Sequence, residues 1–183
     1  METVPDFQDL KTLAGEFERP CLIPVVYSSS EFKNPAETYL ALREKYESSY
    51  LLESLTGPRR ESRYSVVGCD PLLRLKIDGK DIEVDGRSEI AELSRQKVES
   101  LDGPEDELEI LKKAMFVDDM LILSFDLPRY VLGFTGYLGY DFVRSRVDLD
   151  EDTVDDLGHP LMEFMLPGNV ILFDHREEET YYA

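Results

Sequence analysis

The chain has 183 residues, of which 42% are hydrophobic, which predicts a folded core and excludes the composition of a disordered chain. Its 39 acidic and 20 basic side chains give a formal net charge of -19, which argues against nucleic acid and membrane surfaces as partners. Two cysteines, Cys21 and Cys69, indicate neither a disulfide framework nor a zinc site. Without a signal peptide or an apolar membrane span, we expect a cytoplasmic protein.

The first part of the sequence predicts strands on either side of one helix. "CLIPVVYSSS" is strand-like, and its Pro24 suits an edge or a bulge. Asn34 as N-cap, Pro35 at the first helical position and Glu37 in a capping box predict a helix over residues 35–47. The stretches "SYLLES" and "RYSVVGCDPLLRLKI" follow as strands.

The remainder predicts a hairpin, two helices and further strands. Apolar and charged residues alternate from Leu73 to Ile77, and Asp-Gly pairs at 78–79 and 85–86 mark turns. Apolar residues recur at helical spacing in "RSEIAELSRQKVESL" and "PEDELEILKKAMF", which predicts two helices. Four strand-like stretches follow, namely "MLILSFD", "YVLGFTGYLGYDFV", "NVILFDH" and "ETYYA". Because strands and helices do not alternate regularly, we predict a single α+β domain over residues 1–183, on a largely antiparallel sheet.

Two stretches, one rich in glycine and one rich in acidic residues, partly match the patterns of ligand-binding loops. "GFTGYLGYD" lacks the spacing of a phosphate-binding loop, and its glycines favour close packing of aromatic rings and backbone inside a sheet. Asp148, Asp150 and Asp152 have calcium-loop spacing, but Thr153 and His159 stand where the loop needs Gly and Glu. We therefore predict no metal site in this chain.

His159 and His175 are the two histidines, and neither has a Ser or Cys neighbour in a recognisable nucleophile motif. His175 follows Asp174 at a predicted strand end. We expect His175 to be a turn residue hydrogen-bonded to backbone. A role of either histidine as a general acid or base remains an open alternative.

The strand "LLES" ends on two polar residues. Since successive side chains of a strand point to opposite faces, either Glu53 or Ser54 faces inward. A buried carboxylate is costly unless it has a partner, and Arg59, Arg60, Arg63 or the ammonium group of a ligand could supply one. Both an internal ion pair and a ligand site remain open on these grounds.

Four stretches, "LLES", "RYSVVG", "GFTGYLGYDFVR" and "LPGNVILFDH", resemble in this order the N-terminal region of anthranilate synthase component I. The resemblance runs from about residue 24 to the C-terminus. It implies a β-sandwich with packed helices that binds L-tryptophan as a feedback inhibitor. The sequence ends within a strand-like stretch, so we expect the N-terminal regulatory piece of a longer chorismate-utilising enzyme.

The resemblance also implies roles for individual residues. Leu52 would contact the indole, Glu53 would lie near the amino group of the ligand, and Ser54 would hydrogen-bond the ligand or order its loop. Tyr64 and Ser65 would line the same pocket, and Arg63 is a weaker candidate that would serve to neutralise Glu53. Because Glu53 and Ser54 point apart in a flat strand, the site implies a bulge at 53–54 or a backbone contact.

In the family, the whole protein is a lyase of tryptophan biosynthesis that converts chorismate and glutamine to anthranilate, pyruvate and glutamate. It uses Mg²⁺ and a glutamine amidotransferase partner, and its catalytic residues lie in a C-terminal domain that this chain lacks. We therefore expect the chain to have no catalytic residues and to be inactive alone. The alternative is a scaffold or docking domain of a related chorismate enzyme, such as para-aminobenzoate synthase component I.

Overall fold

The computed structural model describes residues 3–17, 21–53, 63–79, 81–86, 89–101, 106–116, 121–122, 133–148 and 157–183. The chain divides into two compact units, one of Met1–Pro71, Asp118–Gly133 and Pro167–Ala183, the other of Leu72–Val117 and Phe134–Leu166. The expectation that residues 1–183 act as one regulatory domain stays a prediction.

The described part of the first unit holds two helices and the strands of an antiparallel sheet. In chain order these are β1 (Thr3–Val4), α1 (Phe7–Glu16), β2 (Cys21–Leu22), β3 (Val26–Ser29), α2 (Pro35–Arg43), β4 (Ser49–Glu53), the first part of β5 (Tyr64–Asp78), β7 (Leu121–Ile122), the last part of β9 (Met162–Asp174) and β10 (Glu179–Tyr182). The hydrogen-bonded order is β1-β3-β10-β9-β5-β4, and β2 pairs with β7 in a separate parallel sheet. The pairs β1–β3, β3–β10, β10–β9 and β5–β4 of the larger sheet are antiparallel.

One buried apolar cluster of this unit lies on one face of its sheet. Val26, Val66, Val170 and Leu172 are buried together there, and four partly buried residues pack against them, namely Tyr50, Tyr64, Tyr181 and Ala183. These residues come from β3, β4, β5, β9 and β10, so burial of their apolar surface stabilises the pairing of strands from both ends of the chain.

Helix α2 begins as predicted. The Asn34 side chain accepts hydrogen bonds from the amides of Ala36 and Glu37, at 2.9 and 3.1 Å, and Pro35 occupies the first turn. The helix ends at Arg43, earlier than the predicted residue 47. Helix α1 was not predicted, although Asp6 caps it by accepting from the Asp9 amide.

In its described residues, the second unit joins a hairpin to two α-helices and a 3-10 helix. It contains the last part of β5, β6 (Asp81–Asp85), α3 (Glu89–Glu99), α4 (Glu107–Ala114), β8 (Thr135–Leu138), a 3-10 helix (Tyr140–Ser145) and the first part of β9. The predicted hairpin is confirmed, since Asp78 pairs with Asp81 around Gly79, whose φ is +59°. The buried Ser94 hydroxyl donates to the Ala114 carbonyl at 2.6 Å and so ties α3 to α4.

The segment "YVLGFTGYLGYDFV" is only partly a strand. The strand prediction is confirmed for Thr135–Leu138, but it is wrong for Tyr140 to Val143, which lie in the 3-10 helix that follows Gly139. Residues 130–132 lie outside the described residues. At Gly136 an added Cβ would lie 2.0 Å from the Glu163 carbonyl oxygen, which confirms the close packing predicted for this glycine.

The α+β prediction on a largely antiparallel sheet is confirmed by this mixture of elements. Helix α2 packs on β4, and α3 packs on both β6 and α4. Across the part of the chain that the structure describes, no helix is both long and apolar enough to span a membrane. The sheet order places β5 between β4 and β9, and the candidate site lies at the ends of these three strands.

Candidate functional site

The candidate site is built on the pairing of β4 with β5. Leu52 is paired with Val66, and Glu53 is paired with Ser65, in an uninterrupted antiparallel register. No bulge therefore occurs in β4 up to its last residue. Ser54, and with it the expected bulge at 53–54, lies outside the described residues.

The pleat divides the predicted site residues between two faces of the sheet. Leu52 and Tyr64 lie on the face of Val66, which we call the Val66 face, whereas Glu53 and Ser65 lie on the opposite Ser65 face. A ligand that touches all four must therefore lie at the end of β4 rather than over one face.

Exposure differs sharply among these residues. Leu52 is 51% exposed, and Glu53 is also exposed, so the expected inward-facing polar group is not Glu53. The inward polar group is Ser65, whose exposure is 0%. The Glu53 carboxylate stays in water because it terminates a strand at the end of the sheet order.

Arg63 and Asp174 form a bidentate ion pair beside this site. The Nε of Arg63 donates to both Asp174 oxygens at 3.0 Å, and its Nη2 donates to Oδ2 at 2.5 Å. Asp174 is 1% exposed and also accepts from the amides of Arg176 and Glu177, at 3.0 and 3.3 Å. The expectation that Arg63 neutralises Glu53 is wrong, because Asp174 occupies its guanidinium group.

The ion pair sets the charge states of both partners. Burial alone raises the pKa of Asp174, but the hydrogen bonds from Arg63 and from the two amides outweigh burial, and the pKa is lowered. The hydrogen bond to Asp174 raises the pKa of Arg63 in turn. The guanidinium carbon also lies 4.8 Å from the centre of the Tyr64 ring, a cation–π contact that orients the first residue of β5.

His175 links the turn after β9 to the Ser65 face. Its backbone N–H donates to the Arg63 carbonyl at 2.9 Å, which confirms the predicted turn residue bonded to backbone. Its ring Nε2 lies 2.7 Å from the Ser65 hydroxyl, and the Phe32 ring packs against it edge-on, with centroids 5.4 Å apart. The sequence gives no sign of this contact, because 110 residues separate Ser65 from His175.

The Ser65–His175 pair does not have the arrangement of a nucleophilic triad. A triad needs an accessible hydroxyl and a carboxylate that orients the imidazole, whereas Ser65 is fully buried and Asp174 binds Arg63. Within the described ranges, no group of three or more His, Cys, Asp or Glu residues is placed to hold a metal ion. Glu53 and His175 are both exposed, at the last residue of β4 and just after the last residue of β9.

Comparison with known proteins finds relatives that are all named anthranilate synthase component 1. Anthranilate synthase component 1 of Cereibacter sphaeroides is 33% identical over 152 residues, which cover 82% of this chain and 29% of that protein. The protein of the same name from Acetivibrio thermocellus is 29% identical over 180 residues, or 97% of this chain and 33% of that protein. The chain is therefore related to part of anthranilate synthase component 1.

The relationship covers only a fraction of that enzyme component. The Thermus thermophilus component 1 is 32% identical over 146 residues, 80% of this chain and 28% of its own length, so the chain spans about a third of these relatives or less. A crystal structure of anthranilate synthase component I from Streptococcus pneumoniae matches 82% of this chain and 29% of that one, with a TM-score of 0.39 and 19% identity. No family model matches the chain.

Proposed function

We propose that the chain is the L-tryptophan-binding regulatory region of an anthranilate synthase component I. The observation that carries the proposal is the relationship to anthranilate synthase component 1 over more than four fifths of the chain. The order of "LLES" and "RYS", and the exposed Glu53 carboxylate at the end of β4, support a ligand site there. The whole protein would use Mg²⁺, chorismate and a glutamine amidotransferase subunit in the cytoplasm, and this region would hold no catalytic residues.

The proposed site comprises Leu52, Glu53, Ser54, Tyr64 and Ser65. A free amino acid presents an ammonium group, a carboxylate and, in tryptophan, an indole, so its site needs an acid, hydrogen-bond donors and an apolar surface. The exposed Glu53 carboxylate and the half-exposed Leu52 side chain meet two of these needs at one strand end. Because Ser65 is already buried and bonded to His175, its role in the site would be to hold that imidazole.

The test is a fluorescence titration of the chain with L-tryptophan. The sequence contains no Trp, so indole emission comes only from the added ligand, and binding shifts and polarises it. We expect a saturable change that is lost in Ser54→Phe and kept in Ser48→Ala, which lies before the other end of β4. No change at millimolar ligand would overturn tryptophan binding by this chain.

A scaffold or docking domain of a related chorismate enzyme is the second candidate. Two observations favour the scaffold function: Ser65 is fully buried, and Arg63 is bound to both oxygens of Asp174. In a scaffold, both side chains would serve only to hold the start of β5 to the end of β9. The same titration separates the two functions, because a scaffold domain leaves the tryptophan emission unchanged.

A further inference from the structure

We propose that Asp78 is a site of spontaneous covalent modification, at which the Asp78–Gly79 peptide bond converts to a β-linked isoaspartyl bond. The site lies in the β5–β6 hairpin of the second unit, so the inference is independent of the ligand site proposed in the first unit. A second Asp-Gly pair, Asp85–Gly86, ends β6 and is held so that it reacts far more slowly. The Asp-Gly pair at 102–103 lies outside the described residues.

The reaction uses only groups of the chain and water. The backbone nitrogen of the glycine attacks the side-chain carboxyl carbon of the preceding aspartic acid, a C–N bond forms, and the carboxyl OH leaves with the amide proton as water. Water then opens the resulting succinimide ring at either carbonyl. Opening at the α-carbonyl leaves the chain linked through the side-chain carbonyl, and opening at the other carbonyl restores aspartate. Glycine favours the first step because it has no side chain to shield its nitrogen.

The Asp78 side chain is free to approach that nitrogen. It is exposed at the last residue of β5, and no described residue forms a hydrogen bond or an ion pair with its carboxylate. Its backbone belongs to the pair with Asp81 that closes the hairpin. Because this pair is the last of the β5–β6 ladder, it opens locally at a lower cost than the pairs inside the hairpin.

Gly79 is equally unrestrained. It lies in the turn with a φ of +59°, and a Cβ added to it would meet nothing within 4 Å. No hydrogen bond joins its amide nitrogen to another residue that the structure describes. The nucleophilic nitrogen is therefore neither covered by packing nor engaged in a hydrogen bond.

The Asp85–Gly86 pair is restrained at both residues. Arg74 Nη2 donates to Asp85 Oδ2 at 2.9 Å, which holds the carboxyl group toward the neighbouring strand. A Cβ added to Gly86 would lie 2.5 Å from the Leu72 carbonyl oxygen, and the Gly86 carbonyl accepts from Arg95 Nη2 at 2.7 Å. Ring closure at this pair requires the ion pair to break and a packed backbone segment to move.

The modification would alter the hairpin at the edge of its apolar side. A β-linkage routes the backbone through the side-chain carbons and so adds one backbone atom between residues 78 and 79. The preceding residue, Ile77, is fully buried and is paired with Ile82. We therefore expect the modified chain to lose the pairing of Asp78 with Asp81 next to this buried pair.

The test is an incubation of the unmodified chain at neutral pH and 37 °C over several weeks. Trypsin cleaves after Lys76, Lys80 and Arg87, so the two Asp-Gly pairs fall in separate peptides, 77–80 and 81–87. Chromatography separates the isoaspartyl form of each peptide from the aspartyl form, and electron-transfer fragmentation identifies the modified residue. We expect isoaspartate to form at Asp78 about tenfold faster or more than at Asp85, because the second site must first open its local contacts.

The chain unfolded in guanidinium chloride is the reference. Both Asp-Gly pairs lose their structural restraints there, so their rates should agree within about threefold. Asp78→Glu should abolish the modified form of peptide 77–80, because glutamate would need a six-membered ring that closes far more slowly. Asp85→Glu is the matched control and should leave the rate at Asp78 unchanged.

Two results would overturn the inference. One is a folded chain that forms isoaspartate at Asp78 no faster than at Asp85. The other is a folded chain that forms none at Asp78 while the unfolded reference does. Either result leaves the proposed function standing, since L-tryptophan binding is measured separately and concerns residues of the first unit.

Discussion

Arg63 and Asp174 are 111 residues apart in sequence and form a bidentate ion pair that joins the residue before β5 to the last residue of β9. The aspartate is buried and also accepts from two amides of the turn that follows it. One carboxylate thereby fixes both the start of β5 and the turn that carries His175.

Asp174→Asn should destabilise the first unit. The amide keeps one acceptor for the turn but loses the charge-assisted bonds from Arg63, and we expect the free energy of unfolding to fall by about 1 to 3 kcal/mol. Urea unfolding followed by circular dichroism measures this change. Asp85→Asn is the matched control, because the Asp85 side chain is 69% exposed in its pair with Arg74 and should change stability little. Equal effects of the two substitutions would contradict the prediction.

The stabilisation by Asp174 should depend on pH. Its pKa is lowered in the folded state, so its contribution is complete above the ordinary carboxyl pKa of about 3.9 and is lost as pH falls through the lower folded value. The difference in unfolding free energy between the unmodified chain and Asp174→Asn should therefore be constant from neutral pH to about pH 4 and shrink below it. Urea unfolding at a series of pH values measures this difference. A difference that persists unchanged into strong acid would show that Asp174 acts without its charge.

Gly136→Ala should destabilise the second unit. The added Cβ would lie 2.0 Å from the Glu163 carbonyl oxygen and 2.6 Å from the Phe164 Cα, and neither backbone atom can move freely within a paired strand. We expect a loss of about 1 to 3 kcal/mol in thermal or urea unfolding. Gly15→Ala is the control, since a Cβ there meets nothing within 4 Å in α1 and should stabilise by roughly 0.5 to 1 kcal/mol.

The Tyr181 hydroxyl should ionise at an unusually high pH. Its hydroxyl donates to Glu179 Oε2 at 2.7 Å, and this bond, followed by burial, raises its pKa to about 12. Its contribution to stability is complete below the ordinary tyrosine pKa of about 10 and is lost as pH rises through the higher folded value. In an absorbance titration of tyrosinate, Glu179→Gln should move this step to lower pH, and Glu178→Gln, an exposed neighbour in the turn, should leave it in place.

Features governed by local sequence were predicted correctly. The cap and start of α2 depend on Asn34 and Pro35, and the β5–β6 hairpin depends on Asp78 and Gly79, all neighbours in sequence. The end of α2 at Arg43 and the 3-10 helix after Gly139 were not predicted. Helical spacing and aromatic content indicate an element, but they do not determine where packing ends it.

The site was predictable only as a location. "LLES" and "RYS" identify two strand ends, and the structure pairs those strands directly. The partners of Arg63 and Ser65 were not predictable, because Asp174 and His175 reach them through the neighbouring positions of β5 and β9 in the sheet, far apart along the chain. Long-range pairs of this kind leave no periodic pattern in a single sequence.

Strand β10 lies between β3 and β9 in the sheet order. During synthesis, β3 leaves the ribosome about 150 residues before its neighbour Glu179–Tyr182. The first unit therefore cannot complete its sheet until Tyr182 has been synthesised, whereas the segments of the second unit end at Leu166. We expect vectorial folding in which the unit that carries the proposed ligand site forms last, and loss of the final strand would leave β3 and β9 as two unpaired edges open to aggregation.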